Sequence, residues 1–308
     1  MDLTNIGEIK KLLHKHDMGT KKSLGQNFLI SPSVPKKIAA ASLNLSAQIE
    51  IKTEVEDADA GVIEIGAGVG ALSQELCKLY KKVVAVELDR KLEPVLGEIF
   101  GGTENFKVVY SDILKVDLKA LVESEFSGYK QLNVCANLPY YITTPVLVYL
   151  LESGVKFNAI TIMIQKEVAA RLCAKPGGEN YGSITLFLNY YGEIKKLFDV
   201  SASNFYPPPK VTSSVVRIIP YDIKMPRVMP KDEAILFKII RAAFEQRRKT
   251  LVNALSSAFT GDYDISKSQI AAIIEEVTGD VNIRGETLSI ESFTAIADLL
   301  FFFTEKEK

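Results

Sequence analysis

The chain has only two histidines and three cysteines, and no run of 18 apolar residues. Each scarcity closes a class of function. Both histidines, His14 and His16, lie near the N-terminus, so neither a histidine metal centre nor a catalytic triad is expected, and no metal ligand is assigned. Cys77, Cys135 and Cys173 are odd in number, far apart and each set among apolar residues. They read as buried thiols of a reducing compartment, not as a disulfide framework. The most apolar C-terminal stretch, "TAIADLLFFF", is interrupted by Asp298, so no membrane-spanning helix is expected. Repeats and low-complexity tracts are missing too. So is an excess of one charge: 37 basic residues stand against 38 acidic ones. No global basic field announces a nucleic-acid partner, which must be met by local patches. Asp2, Glu8 and Asp17 argue against a transit peptide at the N-terminus, where Ile6, Ile9, Leu12 and Leu13 recur at helical spacing. A soluble cytoplasmic protein is the expectation.

What is present is an ordered alternation. A length of 308 residues suits two domains. Strands are expected at 61–66, 81–87, 106–112, 132–137 and 157–165, with two more near 193–199 and 213–219. Helical patterns fall between them, as in "VGALSQELCKLY" and around Lys91–Phe100. Continuous apolar strands separated by helices predict an open, doubly wound, Rossmann-like α/β sheet of seven strands. Pro220, Pro226 and Pro230 then mark a linker, after which only helical patterns follow. The expected domains are therefore 1–220 and a small all-α domain over 221–308. Residues 50–59, with five acids against one lysine, read as a solvated excursion before the first strand.

Ligands of open α/β sheets bind outside the carboxyl ends of the strands. Here those ends carry Gly66-x-Gly68-x-Gly70, then Glu87, Asp112 and Asn137, at intervals of 21, 25 and 25 residues, one strand–helix unit each. The glycines permit a tight turn and close approach of backbone to ligand. Alone they also satisfy a dinucleotide pattern with Ala71. Glu87 suits a bidentate bond to a ribose diol with either cofactor. Asp112, taken alone, reads equally well as a helix cap.

The stretch "ANLPYY" decides between cofactors. Hydride transfer has no use for it, whereas methyl transfer to an exocyclic amine does. The lone pair of an adenine amine is delocalised into the ring and is a poor nucleophile. The Asn137 side-chain oxygen and the Leu138 carbonyl can accept its two N–H bonds and draw the nitrogen toward pyramidal geometry. Pro139 fixes the turn, and Tyr140 offers a face on which an extruded base can stack. No general base is required, so catalysis is positioning plus polarisation.

The successive stretches "KKSLGQNFLI", "VIEIGAGVGALSQEL", "VAVELDRKL", "YSDIL", "ANLPYYITTPVL", "IQKEVAARL", "NFYPPPKVTSSVVRI" and "FEQRRKTLVNAL" span nearly the whole chain. In this order they resemble the motifs of the KsgA/RsmA family. That resemblance implies a methyltransferase fold and S-adenosylmethionine (SAM) as methyl donor. The substrate it implies is a pair of adjacent adenosines in the terminal hairpin of 16S ribosomal RNA, within the immature 30S subunit. It further implies that Asn27 and Leu29 contact the methionine end, Gly66 turns the glycine loop and Glu87 holds the ribose. Asp112 would bind the adenine amine between Leu88 and Ile113. Asn137 would bridge cofactor and base, and Phe205 would stack opposite Tyr140. Without the resemblance, Phe205 reads as a core aromatic.

RNA affinity requires positive charge. Residues 10–37 hold seven lysines, Lys21 and Lys22 among them, against Asp17 alone; Arg247, Arg248 and Lys249, with Arg241, form a second cluster. These are the expected RNA contacts of a monomer. Rival readings are an Erm-type 23S rRNA dimethyltransferase, an assembly factor with secondary activity and, more distantly, an NAD dehydrogenase. "QRRKTLVNAL" and "PPPKVTSSVVRI" resemble the KsgA side more closely than the Erm side, and the intact Asn-Leu-Pro-Tyr weighs against loss of chemistry.

Overall fold

The computed structural model describes residues 1–18, 27–43, 59–139, 141–222, 225–261, 263 and 265–304. In chain order the elements begin with α1 (Ile6–Lys15), β1 (Phe28–Leu29), α2 (Ser33–Ser42), β2 (Ala60–Ile65) and α3 (Ala71–Cys77). β3 (Lys82–Glu87), α4 (Glu93–Phe100), β4 (Phe106–Tyr110), α5 (Leu118–Phe126) and β5 (Gln131–Asn137) follow. Next come α6 (Thr143–Glu152), β6 (Ala159–Gln165), α7 (Lys166–Leu172), α8 (Ser183–Tyr191), β7 (Gly192–Val200), β8 (Phe205–Tyr206) and β9 (Ser213–Pro220). Four helices end the chain: α9 (Glu233–Glu245), α10 (Leu251–Phe259), α11 (Lys267–Thr278) and α12 (Ile290–Thr304).

Seven strands form one sheet in the order β4-β3-β2-β5-β6-β9-β7. The pairs β2/β3, β3/β4, β2/β5 and β5/β6 are parallel. β-branched residues such as Val62, Ile63, Val83, Val84, Ile160 and Ile162 are wholly buried, as strands covered by helices on both faces require. β9 departs from this pattern. It runs antiparallel to β6, with Gln165 opposite Ser213, and separates β6 from β7. Register brings the carboxyl ends together, because Ile65 pairs with both Val86 and Ala136, and Glu87 with Tyr110. The residues that follow β2, β3, β4 and β5 thus leave one edge of the sheet side by side.

The chain divides into two compact units, Met1–Ala169 with Ile194–Pro220, and Ala170–Glu193 with Tyr221–Lys308. The sequence reading put 170–193 in the first domain, and the structure puts it in the second. Its side chains explain why. Tyr181 and Leu186 belong to the helical core with Leu236, Ile240, Leu255, Ile270 and Phe293, and the Tyr181 hydroxyl donates to the Leu288 carbonyl at 2.8 Å. In the same unit Ser266 and Gln269 form a reciprocal capping box that starts α11. Residues 233–255, with one apolar period throughout, make two helices rather than one. Gln246–Thr250 is the break, so Arg247, Arg248 and Lys249 sit in a turn and not on a helix face.

Candidate active site

A cavity of about 320 Å³ opens at the carboxyl edge of the sheet. Its wall includes Asn27, Phe28 and Leu29, the turn from Gly66 to Val69, Glu87 to Asp89, Ser111 to Ile113, Asn137 to Pro139, and Phe205. All six sequence positions proposed for cofactor contact (Asn27, Leu29, Gly66, Glu87, Asp112 and Asn137) therefore meet in one place.

The glycine turn is built by backbone constraint. Gly66, Gly68 and Gly70 all have positive φ, at 81°, 55° and 84°. They serve different ends. A Cβ on Gly70 would lie 2.5 Å from the Phe100 ring, so this glycine lets α3 begin against α4. A Cβ on Gly66 would meet nothing within 4 Å, which leaves the backbone open to a ligand. Glu87 locks the turn. Its Oε2 accepts the Gly68 N–H at 3.0 Å and its Oε1 accepts the Asp89 N–H at 2.8 Å. Burial raises the carboxyl pKa, opposed by those backbone donors. Each oxygen keeps a lone pair for a hydroxyl donor.

Asp112 caps the short 3-10 turn at Ile113–Lys115, its Oδ1 accepting the Leu114 N–H at 3.1 Å. The cap reading of this residue and its place in the cavity wall hold together, since a carboxylate has a second oxygen. Leu88 and Ile113 line the same wall, Leu88 being 55% exposed and Ile113 buried. Asn137 is the last residue of β5. The Leu138 N–H is tied to the Met163 carbonyl at 3.3 Å, and the Pro139 carbonyl accepts the Ile142 N–H at 3.2 Å, so both sides of the turn are pinned. Phe205, only 3% exposed, packs with Leu29, Val34, Ile38 and Val215 and also lines the cavity. It is a core aromatic with an edge in the site. Tyr140, Lys21 and Lys22 lie outside the described residues.

Arg247 is engaged within its own unit. It pairs with Glu286 at 3.1 Å, and its guanidinium sits 5.9 Å from the centre of the Phe244 ring. Arg248 and Lys249 are exposed. Among the wall residues that the sequence reading did not single out are two with polar groups at the cavity, Asp89 and Tyr141. Asp89 caps a 3-10 turn through Oδ1, while its Oδ2 is buried with no partner among the described residues. The signal was there in "VELDRKL", where a second acid follows Glu87 by two. Tyr141, 64% exposed at the cavity wall, was hidden because only the first of the paired tyrosines was considered.

A ligand cavity against a glycine turn, with an acid ending the next strand and an antiparallel strand inserted near the far edge, defines a Rossmann-like methyltransferase domain. The dinucleotide-binding sheet has no such inserted strand. Within that class the chain belongs to the ribosomal RNA adenine dimethylase family, whose model matches residues 18–300. It is 39% identical over 299 residues to the ribosomal RNA small subunit methyltransferase A of Geobacillus sp. (strain WCH70), covering 97% of this chain and 98% of that one. The protein of the same name from Shouchella clausii (strain KSM-K16) is 40% identical over 97% of this chain and 96% of its own length. Among solved structures, a dimethyladenosine transferase from Plasmodium falciparum superposes with a TM-score of 0.67 at 25% identity, covering 90% of this chain and 98% of that one. The 23S rRNA methyltransferase ErmE, at 20% identity, shares the fold with a TM-score of 0.64 over 89% of this chain and 100% of its own. The protein is thus an rRNA methyltransferase.

Proposed function

We propose that this enzyme transfers methyl groups from SAM to the N6 amines of two adjacent adenosines in the 3′-terminal hairpin of 16S rRNA, within immature 30S particles in the cytoplasm. One observation carries the reading. The Asn137-Leu138-Pro139 turn and the Gly66–Glu87 pair, separated in sequence, form the wall of one cavity.

The residues fit the cofactor. The cavity is within the range of small-molecule sites, roughly 300–1,000 Å³. The open side of Gly66 admits a ligand against backbone. Glu87 has lone pairs for a ribose diol, and the orphaned Asp89 Oδ2 awaits a donor. Asn27 and Leu29 would hold the methionine end, and Asp112 the adenine amine between Leu88 and Ile113. Bound there, SAM supplies an electrophilic methyl group on a sulfonium. The chain's own task is to present the target amine. Asn137 Oδ1 and the Leu138 carbonyl accept its two N–H bonds, which localises the nitrogen lone pair. Pro139 holds the carbonyl in place. Tyr140 and the edge of Phe205 would flank the extruded base. The amine turns acidic once methylated, so its proton leaves to water without a side-chain base.

Labelled SAM incubated with the protein and immature 30S particles is expected to label 16S rRNA. Label confined to 23S rRNA would move the assignment to the Erm class. The curated relatives named for the small subunit, similar over nearly the full chain, favour the first outcome. Replacing Asn137 by Ala is expected to lower kcat by about 10²-fold or more, the effect of losing one polarising group, and to leave RNA affinity within a few-fold. An equal loss in both would remove Asn137 from the chemistry.

A further inference from the structure

The N-terminal helix precedes all of the family's motifs, yet it is anchored at both ends and along its apolar face. Asn5 caps it, accepting the N–H groups of Gly7 and Glu8 at 2.8 and 3.2 Å. Its apolar stripe is buried in two patches. Ile9 and Leu13 pack with Phe28 and Val69. Leu12, with Leu3 upstream, packs with Ala67, Ala71, Leu96 and Phe100. The C-terminal end is tied to α4, where Lys15 Nζ and His16 Nε2 reach the two oxygens of Glu98 at 2.7 and 2.8 Å. Lys10 Nζ lies 4.7 Å from the centre of the Tyr206 ring on β8. β8 in turn pairs with β1 through Tyr206 and Phe28.

Four residues that α1 packs against (Phe28, Ala67, Val69 and Ala71) also line the cavity, whereas no residue of α1 does. The helix stands behind the wall. We infer that α1 is a buttress that fixes the glycine turn and Phe28 in the shape that receives SAM, and so sets cofactor affinity without touching the cofactor. This rests on reading the cavity as the SAM site. The physical need is clear. A turn with glycine at every second position has little stiffness of its own and loses much entropy on ordering. If packing orders it beforehand, binding no longer bears that loss.

The test compares wild type with the double variant Ile9→Ala/Leu13→Ala in the full chain, by calorimetry with SAM and by steady-state kinetics on immature 30S particles. The Kd for SAM is expected to rise about tenfold or more, which corresponds to ~1.4 kcal/mol. KM for SAM should follow, while kcat at saturating SAM and the Kd for RNA stay within about twofold. Ile9→Val/Leu13→Met should restore most of the affinity. An unchanged SAM affinity overturns the inference, and so does a parallel loss of SAM affinity, RNA affinity and kcat, which would mark α1 as merely stabilising. If the double alanine variant does not fold, Leu13→Ala alone is judged by the same criteria. Failure of the wild type to bind SAM would instead refute the cofactor reading.

Discussion

Glu64, in the middle of β2, is fully buried, and neither carboxyl oxygen has a partner among the described residues. Burial pushes this carboxyl up to about 8, and the neighbouring Glu87 carboxylate adds to the rise. In the unfolded chain a glutamate ionises near pH 4.3. Below that both states hold the proton, and the group adds no pH dependence to stability. Between there and about pH 8 the folded state keeps a proton that the unfolded state has lost, so stability falls as pH rises, by about 1.4 kcal/mol per unit. Replacing Glu64 by Gln should flatten the dependence and raise stability at neutral pH. Urea denaturation at pH 5, 6 and 7 reads this directly, and an identical slope in the variant would mean that Glu64 is not held neutral. Cys77 illustrates the same physics, its thiol pushed up to about 12 by burial. Its thiolate fraction at neutral pH is accordingly small, and slow reaction with thiol reagents is expected.

The two ends of the glycine turn make contrasting elements. At Gly70 a methyl group would collide with Phe100 and sit at a φ of 84°, so Gly70→Ala is expected to destabilise the fold by about 2–4 kcal/mol. At Gly66 the methyl meets open space. The stability loss there should be only the left-handed penalty of about 1–2 kcal/mol, with SAM affinity falling far more. Denaturation and calorimetry on both variants distinguish the cases, and equal effects on binding would erase the distinction. The strands of this region were legible in the sequence because β-branched runs such as Val83–Val86 name a buried strand by composition alone. Direction was not legible. Nothing in "SSVVRII" says that β9 runs against β6, since apolar alternation is the same read either way. The β1–β8 ribbon was invisible for a simpler reason: two residues carry no period.

At the scale of the whole molecule, the sequence reading picked out residues that share one cavity wall because they mark strand ends at regular intervals. Asn137 and Glu87 need no side-chain packing to be recognised, only the count of one strand–helix unit. It missed Asp89 and Tyr141, whose importance lies in exposure and lost hydrogen bonds, which no spacing encodes. Charge was partly legible as well. Arg248 and Lys249 stand exposed in a turn, whereas Arg247 is held by Glu286. Substituting Arg248 and Lys249 by Ala is therefore expected to weaken RNA binding and make its salt dependence shallower by about one unit of slope per lost phosphate contact. SAM affinity should not move. Titrations at several salt concentrations measure both, and an unaltered slope would take these residues off the RNA path.

Linear domain boundaries hide how the polypeptide is threaded. The chain leaves its first unit after Ala169, returns at Ile194 and leaves again after Pro220. A gene fragment ending at Pro220 would consequently not be half of this enzyme. It would carry Tyr181 and Leu186 into water without the helices that enclose them, and such a truncation should yield aggregates where a naive reading foresees a working catalytic half.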